Sequence, residues 1–212
     1  MHTVITPKVL YFGTPVVLIS TRNENGSFNL APMSSAWWLN QSCMLGMSSR
    51  SQTVQNLLRE RECVLNLVSP DMVAAIDKLT LLTGRNPVPE AKAAQGYRFE
   101  EDKFGVAGLT PIPSTLVSAP RVKECLVQLE ATVVQVHNFE EPSTLAAIET
   151  RIVKVHAEEG VLMDGHANYI DPFKWSPLIM NFCEYFGLSE QLMPSRLAPV
   201  FGPKPAEASV NS

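Results

Sequence analysis

The sequence has little net charge and no long hydrophobic run. With 17 Lys and Arg against 21 Asp and Glu, the 212-residue chain carries a formal net charge of −4 at pH 7, which gives no sign of the basic surface that nucleic-acid binding needs. No apolar stretch approaches the roughly 18 residues of a membrane-spanning helix, and the N-terminus lacks the charged-then-apolar pattern of a secretory signal. We therefore expect a cytoplasmic protein that binds neither nucleic acid nor membrane.

Cysteine is scarce, and its spacing is uninformative for metal or redox chemistry. The four cysteines are far apart in the chain, at Cys43, Cys63, Cys125 and Cys183. No CxxC pair is present, so neither a zinc site nor a dithiol redox motif is indicated. Each cysteine has apolar neighbours, which favours buried and unreactive thiols in a reducing compartment.

Motifs that carry catalytic machinery are also missing. The sequence contains no GxxxxGK[ST] phosphate loop, no GxSxG nucleophile elbow and no GxGxxG dinucleotide fingerprint. His137, His156 and His166 lack ligand-type spacing, so we interpret them as solvated or hydrogen-bonded side chains and expect no metal site. A protein without acid–base equipment suits a cofactor such as flavin, which brings its own redox chemistry.

An N-terminal β-hairpin is the clearest structural signal. A β-branched run at 15–21 leads into Asn25-Gly26, a pair that tolerates positive φ at both central positions of a turn. The returning strand is expected to continue through NLAPMSSAWWL, with Pro32 at an edge, a bulge or an interruption because proline cannot donate a ladder hydrogen bond. A strand at 43–49 follows, so three antiparallel strands are predicted to form a meander.

The rest of the chain mixes helices with further strands. The pattern predicts helices at 51–60 and from Pro70-Asp71 onward, a short helix within 96–105, and strands at 63–70, 122–139, 150–165 and 176–188. In the first helix, Val54, Leu57 and Leu58 are expected to share the buried face. The Pro- and Gly-rich segment 83–120 is interpreted as a lid or binding loop.

Short antiparallel strands with inserted helices indicate a mainly β fold, a barrel decorated at its rim. The 45% hydrophobic content is ample for one packed core. We expect a single domain over 1–202 and a disordered tail at 203–212, because the tail is polar and has no apolar periodicity.

The first candidate site is the start of the 51–60 helix. Hydroxyl groups and one cation cluster there, from Ser48, Ser49, Arg50, Ser51 and Thr53. A helix N-terminus offers free N–H groups and a partial positive charge, and an Arg guanidinium fits phosphate oxygens, so the cluster suits a phosphate. The alternative is an ordinary helix cap by Ser49 or Ser51, with Arg50 solvated.

The second candidate site is the stretch NLAPMSSAWW at 29–38. Small residues allow a flat ligand to approach the backbone, and interrupted pairing at Pro32 would free backbone groups to bond it. Ser34 and Ser35 would add hydrogen-bond donors, and Trp37 or Trp38 would pack against an aromatic ligand. The alternative is an edge strand with a bulge and two core tryptophans.

Five stretches then occur in a characteristic order. They are NLAPMS at 29–34, TVQNL at 53–57, LNL at 65–67, DKFGVAGLTPIPS at 102–114 and VKECLVQLEATV at 122–133. In this order and spacing the sequence resembles the flavin reductase-like family of FMN-binding split-barrel proteins, least clearly at 71–96 and after 165. The resemblance implies a six-stranded antiparallel split barrel and a homodimer with FMN near the subunit interface.

The resemblance also assigns cofactor residues. The isoalloxazine and ribityl chain would lie along Asn29, Ala31, Pro32, Met33, Ser34, Ser35 and Ala36. The phosphate would be bound by Ser48, Ser49, Arg50 and Thr53, with Lys103 and Phe104 bordering the flavin or the nicotinamide and Tyr185 or Phe186 supplied by the C-terminal segment. Strand alternation turns one of Trp37 and Trp38 inward and the other outward, where it would serve the dimer interface.

The activity that the resemblance implies is hydride transfer from NADH or NADPH to N5 of FMN. The reduced flavin would then pass electrons to a second flavin, a partner oxygenase or another acceptor, and no catalytic side chain is needed. One alternative is an FMN-holding electron carrier or a split-barrel oxidase or oxygenase that acts on a small organic substrate. Another is an FMN-free scaffold on the same barrel.

Overall fold

The computed structural model describes residues 1–139 and 144–203. Its strands are β1 (Phe12–Pro15), β2 (Val17–Arg22), β3 (Phe28–Met33), β4 (Ala36–Leu39), β5 (Ser42–Ser48), β6 (Glu62–Leu67), β7 (Leu82–Thr83), β8 (Arg98–Phe99), β9 (Pro111–Ile112), β10 (Arg121–Val122), β11 (Val127–Asn138), β12 (Leu145–Ala157), β13 (Leu162–Met163), β14 (His166–Ile170), β15 (Ile179–Asn181) and β16 (Glu184–Phe186). Its helices are α1 (Gln52–Glu60), α2 (Val73–Leu79), α3 (Glu90–Ala93), α4 (Lys103–Ala107) and α5 (Ala198–Phe201), with 3-10 turns at Pro70–Met72 and Glu159–Val161.

Seven antiparallel strands form the central sheet, in the order β3-β2-β6-β11-β12-β5-β4. The consecutive strands β3 and β4 lie at opposite edges, although only Ser34 and Ser35 connect them. Three Cα–Cα steps span at most about 11 Å, so the two edges must approach each other there and the sheet must curl. The result is a mainly β split barrel, as predicted, with six strands if β3 and β4 are counted as one interrupted strand.

The expected meander is confirmed in its pairing, because β3 pairs with β2 and β4 pairs with β5, but its middle strand is interrupted. The chain does not continue as one strand through NLAPMSSAWWL, because it breaks at residues 34–35 and crosses to the other sheet edge. There the Ser35 carbonyl accepts a hydrogen bond from the Gly46 N–H at 2.7 Å, which starts the pairing of β4 with β5. Pro32 lies on the edge strand β3, where the missing N–H breaks no ladder bond, and that prediction is confirmed.

The β2–β3 hairpin is confirmed, although its turn differs from the prediction. Gly26 has a φ of 85°, but Asn25 is not among the residues with positive φ. The side-chain oxygen of Asn25 instead accepts a hydrogen bond from the Ser27 N–H at 3.1 Å. This Asx turn is an alternative use of asparagine in a hairpin loop, and the loop between the two strands is five residues long.

Helix α1 begins where predicted but turns a different face to the barrel. Ser51 caps it by accepting a hydrogen bond from the Val54 N–H at 3.2 Å. Val54 and Leu57 are buried as predicted, whereas Leu58 is 45% exposed, contrary to the prediction. Asn56 is buried instead because its amide bonds residues of the β2–β3 hairpin, which rotates the polar side of the helix inward.

Two apolar cores lie on the two faces of β2. Val17 and Ile19 face the barrel interior, together with Leu45, Leu65 and neighbouring residues. Val16 and Leu18 face the other way and pack against α2 and α4. Because β2 is covered on both faces, its residues from Val17 to Thr21 are all buried, without the alternation of buried and exposed residues of a half-covered strand.

Several boundaries in the second half differ from the predictions. The expected helix within 96–105 contains strand β8, and helix α4 begins only at Lys103. The expected strand at 176–188 is a hairpin of β15 and β16 that joins β1 in a three-stranded sheet. In the predicted disordered tail, residues 204–212 lie outside the described residues, as do 140–143.

Three of the four cysteines are buried, as predicted, and Cys183 is exposed, which corrects that prediction. Burial raises the pKa of the Cys43 thiol to about 12 and also raises the pKa values of Cys63 and Cys125. Within residues 1–139 and 144–203, no three His, Cys, Asp or Glu side chains are grouped to hold a metal ion. In the same residues no helix has the length and apolar character to span a membrane.

Candidate functional site

A polar cleft lies between the edge strand β3, the start of α1 and the segment 79–103. Its inner part is a cavity of about 140 Å³ lined by residues of all three elements, including Asn29, Thr53 and Lys103. An outer cavity of about 270 Å³ shares Asn29, Gln52 and Gly84 with the inner one. We call the two together the β3 cleft.

Lys103 is the buried cation of the β3 cleft. Its side chain is only 4% exposed, and its Nζ donates to Asn29 Oδ1 at 2.8 Å and to the Leu30 carbonyl at 3.0 Å. Both acceptors are uncharged, so they do not neutralise the ammonium. Burial, with a smaller contribution from Lys92, lowers the pKa of Lys103 to about 8, and Glu100 only partly offsets this. A positive charge held this way favours an anionic ligand.

The hydrogen bond to Lys103 sets the orientation of the Asn29 amide. With Oδ1 on the ammonium, Nδ2 donates to Thr53 Oγ1 at 3.1 Å and more weakly to Thr21 Oγ1 at 3.4 Å. A hydroxyl group that accepts such a bond keeps its own proton to donate. The cleft wall therefore presents both an ammonium and a hydroxyl donor to a ligand.

The start of α1 adds further donors to the same wall. Ser51, Gln52 and Thr53 all line the inner cavity. The first N–H groups of a helix have no partner within it and carry a partial positive charge. Because the Ser51 cap uses only the Val54 N–H, cap and ligand site are compatible at this helix end.

A second layer of side chains holds α1 against the hairpin. The Asn56 amide donates to Thr21 Oγ1 at 2.9 Å and to Asn23 Oδ1 at 2.8 Å, and its oxygen accepts from Gln52 Nε2 at 2.9 Å. Asn56 is fully buried. It therefore positions Thr53 relative to Asn29 without lining the cleft itself.

The structure brings six of the predicted site residues to the inner cavity: Asn29, Ala31, Pro32, Met33, Thr53 and Lys103. Tyr185 lies at its rim, where the phenol oxygen is 3.0 Å from Oγ1 of the lining residue Thr80. Phe104 does not line the cavity, because its side chain is buried in the core on the outer face of β2. Ala36 is likewise buried, in the barrel interior.

The remaining predicted residues lie beside the cleft rather than in it. Ser34 and Ser35 form the half-buried crossing from β3 to β4. Ser49 donates to the Thr144 carbonyl at 2.8 Å from its N–H and at 3.0 Å from its hydroxyl. Arg50 is exposed, and its N–H contacts Ser48 Oγ at 3.4 Å. Ser48, Ser49 and Arg50 therefore adjoin the start of β12.

The far wall of the cleft was not predicted residue by residue. It contains Thr83, Gly84, Lys92 and Tyr97, with the Lys92 ammonium 4.9 Å above the Tyr97 ring. A Cβ at Gly84 would lie 2.7 Å from Asn29 Oδ1, so only glycine allows this close approach. The Pro- and Gly-rich composition of 83–120 was the one signal in the sequence that could have pointed to this wall.

The tandem tryptophans divide as strand alternation predicts. Trp38 packs against the core inside the barrel, whereas Trp37 is 56% exposed on the edge strand β4. The direct neighbours of Trp37 on β4 and β5 include exposed Leu39 and half-buried Met44. An apolar patch thus lies on the outer face of this sheet edge.

Comparisons with known proteins agree with this fold. The uncharacterized protein YdfE of Bacillus subtilis (strain 168) is 40% identical over 188 residues, which cover 89% of this chain and 90% of YdfE. Flavoredoxin of Desulfovibrio vulgaris (Miyazaki F) has a similar structure, with a TM-score of 0.75, 22% identity and coverage of 93% of this chain and 99% of flavoredoxin. Nitrilotriacetate monooxygenase component B of Bacillus cereus gives a TM-score of 0.69 at 22% identity, over 86% of this chain and 88% of that protein. Residues 9–171 match the family model of the flavin reductase like domain. This chain belongs to the flavin reductase-like family.

Proposed function

We propose that this protein binds FMN in the β3 cleft and is an NAD(P)H-dependent flavin reductase. The observation that carries the proposal is the Lys103 ammonium, buried in the cleft wall and bonded to two uncharged oxygens. FMN is an anionic ligand, and the free donors of Thr53 and of the α1 start add to the attraction. Membership of the flavin reductase-like family supports the choice of flavin over other anions.

The residues present suit the two ends of FMN. The phosphate would be held by Lys103, Thr53 and the first N–H groups of α1, or by Ser48, Ser49 and Arg50 next to them. The ring would lie along 29–36, because the outer edge of β3 has no neighbouring strand in the described part of the chain. The open edge leaves backbone groups for the ring and would leave one ring face free for a nicotinamide to stack. FMN bound there would accept the hydride at N5, while the chain binds and orients it.

Spectroscopy of the purified protein tests this proposal. Absorbance in the flavin bands, with or without added FMN, reports binding. Anaerobic addition of NADH and, separately, NADPH should then bleach the bound flavin, and the faster nucleotide identifies the coenzyme. Binding without bleaching by either nucleotide would support the electron carrier or the oxidase instead. If the protein binds no flavin at all, the FMN-free scaffold is the remaining alternative.

We further propose that the functional unit is a homodimer and that an oxygenase accepts the electrons. Exposed Trp37 and Leu39 on the edge strand β4 suit a contact with a second copy. The structural neighbour component B of nitrilotriacetate monooxygenase carries the name of an oxygenase system, which supports an oxygenase partner. Sedimentation velocity tests the dimer, and coupled oxygen uptake with a purified oxygenase tests the partner.

A further inference from the structure

A second polar cavity, of about 560 Å³, lies at the end of β12. Its walls come from two stretches of the chain, 121–128 and 155–158, which carry both charged and apolar side chains. We call it the β12 cavity. Cavities of about 300–1,000 Å³ with a few converging polar groups are typical of small-molecule sites.

Strand register separates the β12 cavity from the β3 cleft. His156 and Gln128 line the β12 cavity and are paired with each other. The pairing continues from Gln128 through Asn66 and Leu18 to Pro32, which lines the cleft. Directly paired residues share one face of a sheet, here the outer face, and four strand spacings amount to about 19 Å. The two cavities are therefore distinct sites.

A β-bulge brings His156 to the outer face of the sheet. In the pairing of β11 with β12 the register shifts between Glu130 and Ala131, which leaves Val153 as an extra residue of β12. Ile152 faces the barrel interior, and strict alternation would turn His156 inward as well. The extra residue reverses the alternation and places His156 beside Glu130. Bulges that redirect a side chain in this way are common next to functional sites.

The buried carboxylate of Glu130 fixes the orientation of the His156 ring. Glu130 Oε1 is 2.6 Å from His156 Nε2, and the carboxylate also accepts two backbone N–H groups, which favour its ionised form. An ionised carboxylate only accepts hydrogen bonds, so Nε2 carries the proton of the ring. Nδ1 has no partner within residues 1–139 and 144–203 and is accessible to solvent. In the neutral ring, Nδ1 is an acceptor available to a ligand.

Arg121 contributes a positive charge that no carboxylate neutralises. Its Nη1 donates to Gln128 Oε1 at 3.0 Å, and its Nε and Nη2 donate to the Pro113 carbonyl at 3.1 and 3.0 Å. Both acceptors are uncharged, and Arg121 takes part in no ion pair of the described chain. A guanidinium has five N–H donors, so two remain for a ligand. Because Gln128 is also paired with His156, the guanidinium and the imidazole flank the same residue.

The other lining groups restrict the charge and shape of the ligand. Glu124 and Glu158 line the cavity together with exposed Lys123. The two carboxylates offset part of the positive charge, so a ligand with one negative charge is favoured over a phosphate with two. Leu126 and Val155 add an apolar surface to the same walls, which suits an apolar part of the ligand.

We propose that the β12 cavity binds a 2-hydroxy acid that has an apolar side chain. The two spare N–H groups of Arg121 hold the carboxylate, His156 Nδ1 accepts a hydrogen bond from the hydroxyl, and Leu126 and Val155 contact the apolar part. The carboxylate and the hydroxyl of such an acid are on adjacent carbons, which matches two protein groups that flank one residue. Binding here does not rest on the proposed flavin site, so it is measured on the flavin-free protein.

Three related ligands test the proposal by isothermal titration calorimetry. Mandelate has the carboxylate, the hydroxyl and an apolar ring, and it should bind with a Kd of about 0.1 mM. Phenylacetate lacks the hydroxyl and should bind about fivefold more weakly, whereas 1-phenylethane-1,2-diol lacks the carboxylate and should bind at least about tenfold more weakly. Equal affinity for mandelate and the diol, or no mandelate binding up to about 5 mM, would overturn the proposal.

Substitutions in the cavity wall locate the carboxylate. Arg121→Gln should weaken mandelate binding at least about tenfold. Val155 is exposed, so Val155→Glu and Val155→Lys should both fold, and the lysine variant should bind mandelate at least about fivefold more tightly than the glutamate variant. Arg151→Gln is the matched control, because it removes an exposed arginine of β12 that does not line the cavity. It should bind mandelate like the wild type.

His156→Gln tests the contact with the hydroxyl. Glutamine can still donate a hydrogen bond to Glu130 but does not provide the acceptor nitrogen, so mandelate should bind about fivefold more weakly and phenylacetate with unchanged affinity. Equal losses for both ligands would show that His156 has only a structural role, and the hydroxyl assignment would be wrong.

Two further results would overturn the assignment to the β12 cavity. One is unchanged mandelate affinity in Arg121→Gln together with equal affinities of the two Val155 variants. The other is loss of mandelate binding in Lys103→Met, which would place the anion in the β3 cleft. Arg121→Gln should leave FMN binding unchanged, since Arg121 does not line that cleft, and a failure of FMN to bind the wild type contradicts only the proposed function.

Discussion

Lys103 Nζ and Asn29 Oδ1 are 2.8 Å apart, although 74 positions separate the two residues in the chain. The contact joins the segment 79–103 to the edge strand β3 and thereby closes the cleft. It also holds the Asn29 amide with its N–H groups toward Thr53. One buried ammonium therefore contributes positive charge to the cleft wall and determines the orientation of its neighbour.

Replacing Lys103 should weaken FMN binding in a pH-dependent way. A hydrogen bond from a charged group contributes about 1.5–3 kcal/mol, so Lys103→Met should raise the Kd of FMN about 10- to 100-fold at pH 7. Because the pKa of Lys103 is about 8, the wild type should lose affinity as the pH rises from 7 to 9, about fivefold or more. Fluorescence titration of FMN at several pH values measures both effects. A flat wild-type profile would exclude Lys103 as the ligand's charge partner.

The same lysine should make stability rise with pH. Its pKa falls from 10.5 to about 8 on folding, so between these values the unfolded chain binds more protons than the folded one. The free energy of unfolding should therefore increase with pH by about 2–3 kcal/mol relative to Lys103→Met. Urea denaturation at pH 7.5 and pH 10 measures the difference, with Lys123→Met at an exposed position as control. A wild-type free energy of unfolding that stays constant or falls relative to that of Lys103→Met as the pH rises contradicts the prediction.

The position of the phosphate can be decided by two matched substitutions. If the phosphate lies in the cleft, Thr53→Val should raise the FMN Kd about tenfold through loss of the hydroxyl, and Thr53→Ser should restore binding. Arg50→Gln should then have little effect, since Arg50 is exposed and does not line the cleft. The reverse result would assign the phosphate to the cluster of Ser48, Ser49 and Arg50.

Glu130, which lies outside the cleft, should contribute strongly to the free energy of unfolding. It is fully buried and accepts hydrogen bonds from the Thr115 and Leu116 N–H groups at 2.8 and 2.5 Å and from His156 Nε2 at 2.6 Å. Burial alone would raise the pKa of Glu130, but these bonds outweigh it and lower the pKa below 4.5. Glu130→Gln should thus cost about 3 kcal/mol of unfolding free energy at pH 7, because the amide cannot accept all three bonds.

The pH dependence of this cost has a definite sign. A lowered folded-state pKa stabilises the protein above the unfolded pKa, and the contribution is lost as the pH falls through the folded-state value. Urea denaturation at pH 7 and near pH 3 should therefore show a smaller gap between wild type and Glu130→Gln at the acid end. Glu158→Gln, at an exposed position, is the control and should change neither value by more than about 0.5 kcal/mol.

Substitutions of the two tryptophans should have different effects, one on stability and the other on dimerisation. Trp38→Ala removes a side chain packed in the barrel and should cost about 3–5 kcal/mol of unfolding free energy. Trp37→Ser should leave the fold of each chain intact, since that side chain is exposed, but should shift the expected dimer toward monomer. Urea denaturation and sedimentation velocity, run on both variants, measure the two effects. A dimer unaffected by Trp37→Ser would place the interface elsewhere.

Local chemistry made much of the fold predictable. Asn25-Gly26 predicted the hairpin, and Pro32 predicted a strand edge because a residue without an N–H cannot sit inside a ladder. The serines at 49 and 51 predicted the start of α1, and the structure shows that Ser51 is the cap. The interruption at residues 34–35 was not predictable in the same way, since β3 and β4 differ in their partners, and partners are chosen by long-range packing.

The sequence by itself indicated the family through its ordered motifs, and the resemblance implied that Asn29, Thr53 and Lys103, which line one cavity, contribute to one cofactor site. Hydrogen-bonding capacity and strand alternation are local properties, so they can be read from the order of residues. Only the tertiary structure decided that Lys103 is buried against Asn29, that Gly84 and Tyr97 close the cleft, and that Trp38 rather than Trp37 faces the barrel. These facts depend on how far the sheet curls and on which segments then meet, and that is set by the packing of the whole chain.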